Sequence, residues 1–185
     1  MKTLLLLRLA ASACVAALVA TGCADLGGRE TGMSVVAGNR WSKRMEERRV
    51  AMERATRGTT VEVTRTADNQ LKLSVPNDVA FDTHRFAVKA QLRNLLDPFA
   101  ASLADDPTAR LSIVGHTDST GSAAINASLS LERAQSVRDY LAARGVSPTR
   151  VQTAGRGERE PIADNASEAG RARNRRLQIH LREPA

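Results

Sequence analysis

The stretch Val114-Gly115-His116-Thr117-Asp118-Ser119-Thr120-Gly121 gathers an imidazole, a carboxylate and hydroxyls into one short loop. His116, Asp118 and Ser119 invite comparison with a hydrolytic triad, but triad members usually arrive from separate segments with defined roles. The chain has no Gly-x-Ser-x-Gly nucleophile elbow and no His-Glu-x-x-His, and His84, His116 and His180 are widely scattered. Gly155-Arg156-Gly157 is a lone Gly-x-Gly, too little for a nucleotide site. The expectation is therefore a protein that is not an enzyme and holds neither metal nor cofactor. Asp118 lies on this Gly-flanked loop and Arg133 in what reads as the first turn of the next helix, an anion and a planar cation able to bind charged groups. Each has an ordinary reading as well. Asp118 suits a turn residue capping its own loop, and Arg133 a solvated helix residue pairing with Glu132 or Asp139.

The elements that would position these residues follow from apolar spacing. Val61 and Val63, then Leu71, Leu73 and Val75, alternate on either side of Ala67-Asp68-Asn69-Gln70, the pattern of strand, turn and strand. Phe86, Val88, Leu92, Leu95, Leu96, Phe99 and Leu103 recur at helical spacing, ended by Asp105-Asp106-Pro107. Arg110 to Gly115 reads as a strand. Ser130 is a fair N-cap for a second helix with Leu131, Ala134, Val137 and Leu141 on its core face, closed by Gly145 and Pro148. Val151 to Ala154 and Leu177 to Leu181 complete the strands. Strands alternating with helices predict an α/β (α+β sandwich) fold, with a mixed sheet covered by two long helices.

The N-terminal region carries a different signal. Met1-Lys2 precedes an apolar run interrupted by Arg8, then Ala20-Thr21-Gly22-Cys23, the layout of a secretory signal peptide. Removing residues 1–22 takes away Lys2 and Arg8 and no acid, lowering the formal charge from +7 to +5. An exported protein does not meet chromosomal DNA, so the positive charge points away from nucleic acid. Cys23 would be the sole cysteine left, and Ala-Thr-Gly-Cys resembles the lipobox of bacterial lipoproteins, with Ala20 where that motif prefers Leu. Residues 24–39 read as a linker. Residues 40–57 read as a basic helix whose Trp41, Met45, Met52 and Ala55 share a face. That face suits docking on the domain, pairing with a second copy, or anionic headgroups.

Taken in order, Val114 to Gly121, Asn126, Leu129-Ser130, Arg133-Ala134, Val137, Tyr140-Leu141, Gly155, Gly157, Pro161 and Asn174-Arg175-Arg176 closely resemble the OmpA-like C-terminal domain, shared by OmpA, Pal and MotB. Phe81-Asp82 matches that family's entry to its first long helix. The resemblance covers about residues 60–183. It implies the OmpA-like fold and non-covalent binding of peptidoglycan through the meso-diaminopimelate of its stem peptide, with Asp118 and Arg133 clasping that residue. Diaminopimelate carries an ammonium and a carboxylate on one short frame, which one fixed anion and one planar guanidinium can hold. Thr117, Asn126, Leu129 and Asp82 are further candidates; Asp82 serves equally as a helix N-cap and Asn126 as a loop-stabilising amide. Arg175 and Arg176 read as structural, tying loop to sheet. The expected domains are 1–22 signal peptide, 23–58 lipidated cysteine, linker and basic helix, and 59–183 OmpA-like domain. The expected location is the periplasmic face of the outer membrane, with the wall as partner. A second copy or an envelope protein on helix 40–57 is the alternative partner, and a stator or secretion-system subunit is a further reading.

Overall fold

A computed structural model of the chain describes residues 41–184. The signal peptide, Cys23 and the linker lie outside the described residues. The first element, α1 (Lys43–Ala55), is capped by Ser42, whose Oγ accepts from Met45 N at 3.0 Å. Strands β1 (Glu62–Arg65) and β2 (Leu71–Pro76) form the expected hairpin. A single turn, α2 (Asn77–Ala80), leads to α3 (Ala90–Ala101), then β3 (Arg110–His116), α4 (Ala123–Ala142), β4 (Val151–Gly157), α5 (Glu168–Asn174) and β5 (Arg176–Arg182). The five strands make one mixed sheet in the order β1-β2-β5-β3-β4, parallel only between β3 and β4. That parallel pair is joined by α4, as a parallel connection requires.

Burial alternates along the central strands. Leu71, Leu73 and Val75 of β2, Leu111 and Ile113 of β3, and Leu177, Ile179 and Leu181 of β5 are buried, while their neighbours stay half exposed. One face of the sheet thus meets Leu92, Leu96 and Phe99 of α3 and Ala134, Val137 and Leu141 of α4 in one apolar core, and among the described residues no helix packs on the other face. Two glycines let α4 lie directly on the sheet: a Cβ on Gly115 would fall 2.1 Å from the Ser130 carbonyl oxygen, and one on Gly155 2.6 Å from Leu131 N. The helix ends in a Schellman motif, with Val146 N donating to Leu141 O at 3.2 Å and Gly145 at φ 89°.

Helix α1 belongs to the same core. Met45 and Met52 are fully enclosed, and Arg48, 4% exposed, donates to Asp106 Oδ2 and Glu183 Oε1, each at 2.9 Å. Ser42 Oγ and Arg44 Nε also bind the Glu183 carboxylate.

Three element expectations need correction. Helix α4 begins at Ala123, capped by Ser122, rather than at Ser130. Ser130 is buried in mid-helix, its hydroxyl donating to Ala127 O and accepting from Gly157 N, and Leu131 sits at the helix edge, 36% exposed. The helix expected from Phe86 starts only at Ala90, because residues 81–89 turn through His84 at φ 56° and leave Phe86 exposed. The short α5 has no counterpart in the sequence reading.

Candidate functional site

The parallel ladder of β3 and β4 continues one residue beyond β3, where Thr117 N donates to Gly157 O at 2.9 Å. This pins the start of the loop and buries Thr117 and Asp118. The Asp118 carboxylate is then held twice. Oδ1 accepts from Thr120 N at 2.8 Å, closing an Asx turn, and Oδ2 accepts from Arg175 Nη1 at 2.7 Å. Burial pushes its pKa up, but the bonds from Arg175 and Thr120 outweigh burial and hold it below the usual aspartate value. Asp118 is thus a fixed anion at neutral pH. Arg175 Nη2 reaches on to Glu168 Oε1 at 2.7 Å, so α5 braces the loop from outside.

Asn126, in the first turn of α4, closes the other side. Its Nδ2 donates to Asp118 O at 3.3 Å, Thr120 O at 3.1 Å and Glu158 Oε2 at 2.7 Å. Beyond the loop, Ser119 N donates to Asn165 Oδ1, and Asn165 is held by the fully buried Asn174.

Arg133 lies seven residues past Asn126 on the same buried side of α4, about 10 Å along the helix axis. It is 5% exposed. Its Nε donates to Arg85 O at 3.0 Å and its guanidinium lies 5.3 Å from the centre of the Phe81 ring. Among the described residues no carboxylate comes within ion-pair distance of it, and its two Nη groups carry no hydrogen bond. Burial lowers its pKa to about 10, which leaves it charged at neutral pH but poorly solvated. A buried cation of this kind favours any ligand that brings a carboxylate, and the planar fork suits two parallel bonds.

Asp118, Thr117 and Asn126 are therefore gathered at the C-terminal end of β3, with Arg133 on the shared helix face. Leu129 lies half-buried between them on α4. Asp82 stands one residue beyond Phe81, exposed, with Lys89 Nζ at 3.7 Å; it caps neither α2 nor α3. Both ordinary readings of the charged pair are answered. Asp118 does cap its own loop, whereas Arg133 pairs with neither Glu132 nor Asp139: Ser128 binds Glu132, and Arg138 binds Asp139. Asn126 does stabilise the loop. The third turn of α4, rather than the first, carries Arg133, because the helix starts earlier than expected. Arg175 and Arg176 do tie loop to sheet, Arg176 through Asn174 O and Glu160 O. The direct bond from Arg175 to Asp118, and Glu158 beside Asn126, are contacts the sequence reading missed; neither has a local signal. His116 is 2% exposed, and burial, then the neighbouring Arg176, hold its pKa down to about 4. It is a neutral core residue.

Comparison with known proteins agrees with this geometry. The sequence profile of the OmpA family matches residues 80–175, just over half of the chain. The chain is 42% identical over 125 residues to the probable lipoprotein YiaD of Escherichia coli, a match covering 68% of this chain and 57% of that protein. It is 49% identical over 85 residues to the peptidoglycan-binding protein ArfA of Mycobacterium tuberculosis, covering 46% of this chain and 26% of ArfA. The chain thus spans from about a quarter to just over half the length of these relatives. Among solved structures, the cell wall anchor of the T6SS from Pseudomonas aeruginosa superposes with a TM-score of 0.61 at 28% identity, covering 80% of this chain and 99% of that one.

Proposed function

Because the chain belongs to the OmpA family, we propose that its folded domain holds peptidoglycan by the diaminopimelate of the stem peptide, without covalent chemistry. The ligand's ammonium meets Asp118, whose carboxylate has lone-pair positions left after accepting from Thr120 and Arg175. The ligand's carboxylate meets the Nη groups of Arg133. One observation carries this reading. Arg133 is buried on the same helix as Asn126, which holds the Asp118 loop, and among the described residues no protein carboxylate neutralises it. Each charge-assisted bond is worth roughly 1.5–3 kcal/mol. A few of them, less ordering costs, put the Kd near ~1 μM. The peptidoglycan-binding relative ArfA supports the ligand class. Asn126 and Thr117 hold the loop that presents Asp118, and Phe81 with Asp82 forms the rim beside Arg133.

The second part of the proposal is the tether. Acyl chains on Cys23 hang the domain from the outer membrane, a reading supported by likeness to a probable lipoprotein. Since α1 is part of the domain core, residues 43–55 add nothing to the tether's reach. Residues 24–41, fully extended, reach at most about 60 Å. The alternative, in which helix 40–57 recruits a partner protein, is disfavoured by burial of Met45, Arg48 and Met52 inside the domain. Among the described residues no helix is long and apolar enough to cross a membrane.

Sedimentation with purified sacculi tests the site. Wild type pellets with the wall, while Asp118→Ala and Arg133→Ala each weaken pelleting more than tenfold. Equal pelleting of all three removes the assignment. Mass spectrometry of the mature N-terminus tests the anchor independently, an acylated Cys23 being the expected product.

A further inference from the structure

The sheet face turned away from α3 and α4 carries Lys72, Arg110 and Arg182, with a neutral His180 among them, its pKa held down by burial and then by Lys72. Lys72 of β2 stands opposite His180 of β5, and His180 stands opposite Ser112 of β3. One step along, Arg110 of β3 stands opposite Arg182 of β5. Directly opposed side chains lie ~4.5–5.5 Å apart at Cβ, and like charges so placed repel. Among the described residues the side chains of Lys72 and Arg182 make no hydrogen bond and no ion pair. Arg110 donates one Nη group to the carbonyls of Pro107, Thr108 and Ala109, which leaves the rest of its fork unused. Asp68 is the acid that acts on His180, and its carboxylate is bonded by Thr66 and Gln70. Gln70, Arg110, Ser112, Gln152, His180 and Arg182 line an open groove across this cluster.

The groove lies where β3 begins and β5 ends. At that same end Ser42, Arg44 and Arg48 fix the start of α1 to Glu183. The chain therefore enters the described domain at the groove's end of the sheet, and the Asp118 loop lies at the opposite end of β3. We propose that this face, on which no helix of the described residues packs, rests on the phosphate headgroups of the membrane from which the chain hangs. The cations are spread over two rows of an open face rather than enclosed in a pocket, which suits an array of phosphates better than one small anion. This inference rests on the membrane-tether reading above and adds an electrostatic contact that orients the wall site away from the bilayer.

The test uses the full chain, wild type against Lys72→Gln/Arg182→Gln, on vesicles of phosphatidylcholine alone and of equal parts phosphatidylcholine and phosphatidylglycerol. Any insertion of the apolar N-terminal segment contributes to both lipids, so the difference between them isolates the electrostatic part. Wild type should favour the anionic vesicles, with a preference that fades in high salt, and the double variant should bind them about 30-fold less. Among the described residues neither side chain makes a hydrogen bond or an ion pair, so the fold should be kept, and unchanged sacculus pelleting checks this. Asp118→Ala should do the reverse, losing sacculi and keeping vesicles, so the two readings fail separately. Equal binding to both lipids, or an unaltered double variant, overturns the proposal. So does a double variant that loses sacculi instead of vesicles, since the face would then belong to the wall.

Discussion

Replacing Arg48 by Met should release α1 from the domain while leaving the wall site intact. Arg48 bonds Asp106 Oδ2 and Glu183 Oε1 at 2.9 Å each, and Ser102 O at 2.8 Å and 3.2 Å. Both carboxylates are buried with the arginine, Asp106 more deeply than it and Glu183 slightly less. Removing one partner of a buried pair costs about 3–5 kcal/mol, because the remaining charge is left uncompensated. Two effects limit the loss. Arg44 Nε still reaches Glu183 at 2.9 Å and Asp106 at 3.6 Å. Moreover α1 can undock, which returns both carboxylates to water and exposes Met45 and Met52, each worth about 2–3 kcal/mol of burial. The expected outcome is a loss of about 3 kcal/mol in the protection of α1, or about a hundredfold in its opening constant. Hydrogen exchange resolved over residues 43–55 reads this directly. Protection of β3 and β5 should fall less, and sacculus pelleting should hold at temperatures where the sheet is folded. Unchanged exchange in α1 would refute the docking argument. Loss of sacculus binding with an intact sheet would refute the separation of the two ends. Adding Asp106→Asn and Glu183→Gln to Arg48→Met should recover part of the protection, because no buried charge then remains.

Gly115→Ala drives a Cβ into the Ser130 carbonyl. It should cost roughly 1–3 kcal/mol or more by chemical denaturation, and weaken sacculus binding as α4 carries Arg133 and Asn126 away from Asp118. Arg133→Met should abolish sacculus binding yet raise thermal stability by on the order of 1 kcal/mol, since it removes a poorly solvated buried cation. Acid should act through Asp118. Its folded-state pKa lies below the unfolded value of about 3.9, so its contribution to stability is complete above that value and disappears as pH falls through the folded pKa. Sacculus binding should follow the same fall, and Asp118→Asn should bind weakly at every pH.

Much of this was legible because one pattern dominated each segment. The alternation of Leu71, Leu73 and Val75 and of Leu177, Ile179 and Leu181 marks strands with one covered face. Gly145 followed by Val146 marks a helix stop whose bonds are observed. Asp118 and Arg133 were found through motif order rather than through any local property of either residue. Where the reading failed, two patterns competed. Ser130 looks like a cap because serine is a good one, but a serine hydroxyl facing Gly155 and Gly157 can instead satisfy the backbone of a neighbouring strand. The start of α4 at Ser122 was hidden among Ala and Ser with no apolar period. Phe86 and Val88 match a helical spacing that the turn at His84 interrupts. Helix α5 buries only Gly170 and Asn174, so it has no apolar stripe to read. The bond from Arg175 to Asp118 joins residues 57 positions apart, beyond any local signal.

The two ends of β5 have a mechanical consequence. Glu183, just past its last residue, clamps the start of α1, and Arg175, just before its first, grips the Asp118 loop. Tension applied between residue 42 and that loop runs lengthwise along β5 and its neighbours β2 and β3, over about 20 Å of strand. The hydrogen bonds between these strands are then loaded together, in shear, instead of peeling open one after another. Such a domain resists stretching along the line that joins residue 42 to the Asp118 loop, and yields most easily to a force that drags β1 off the sheet's edge.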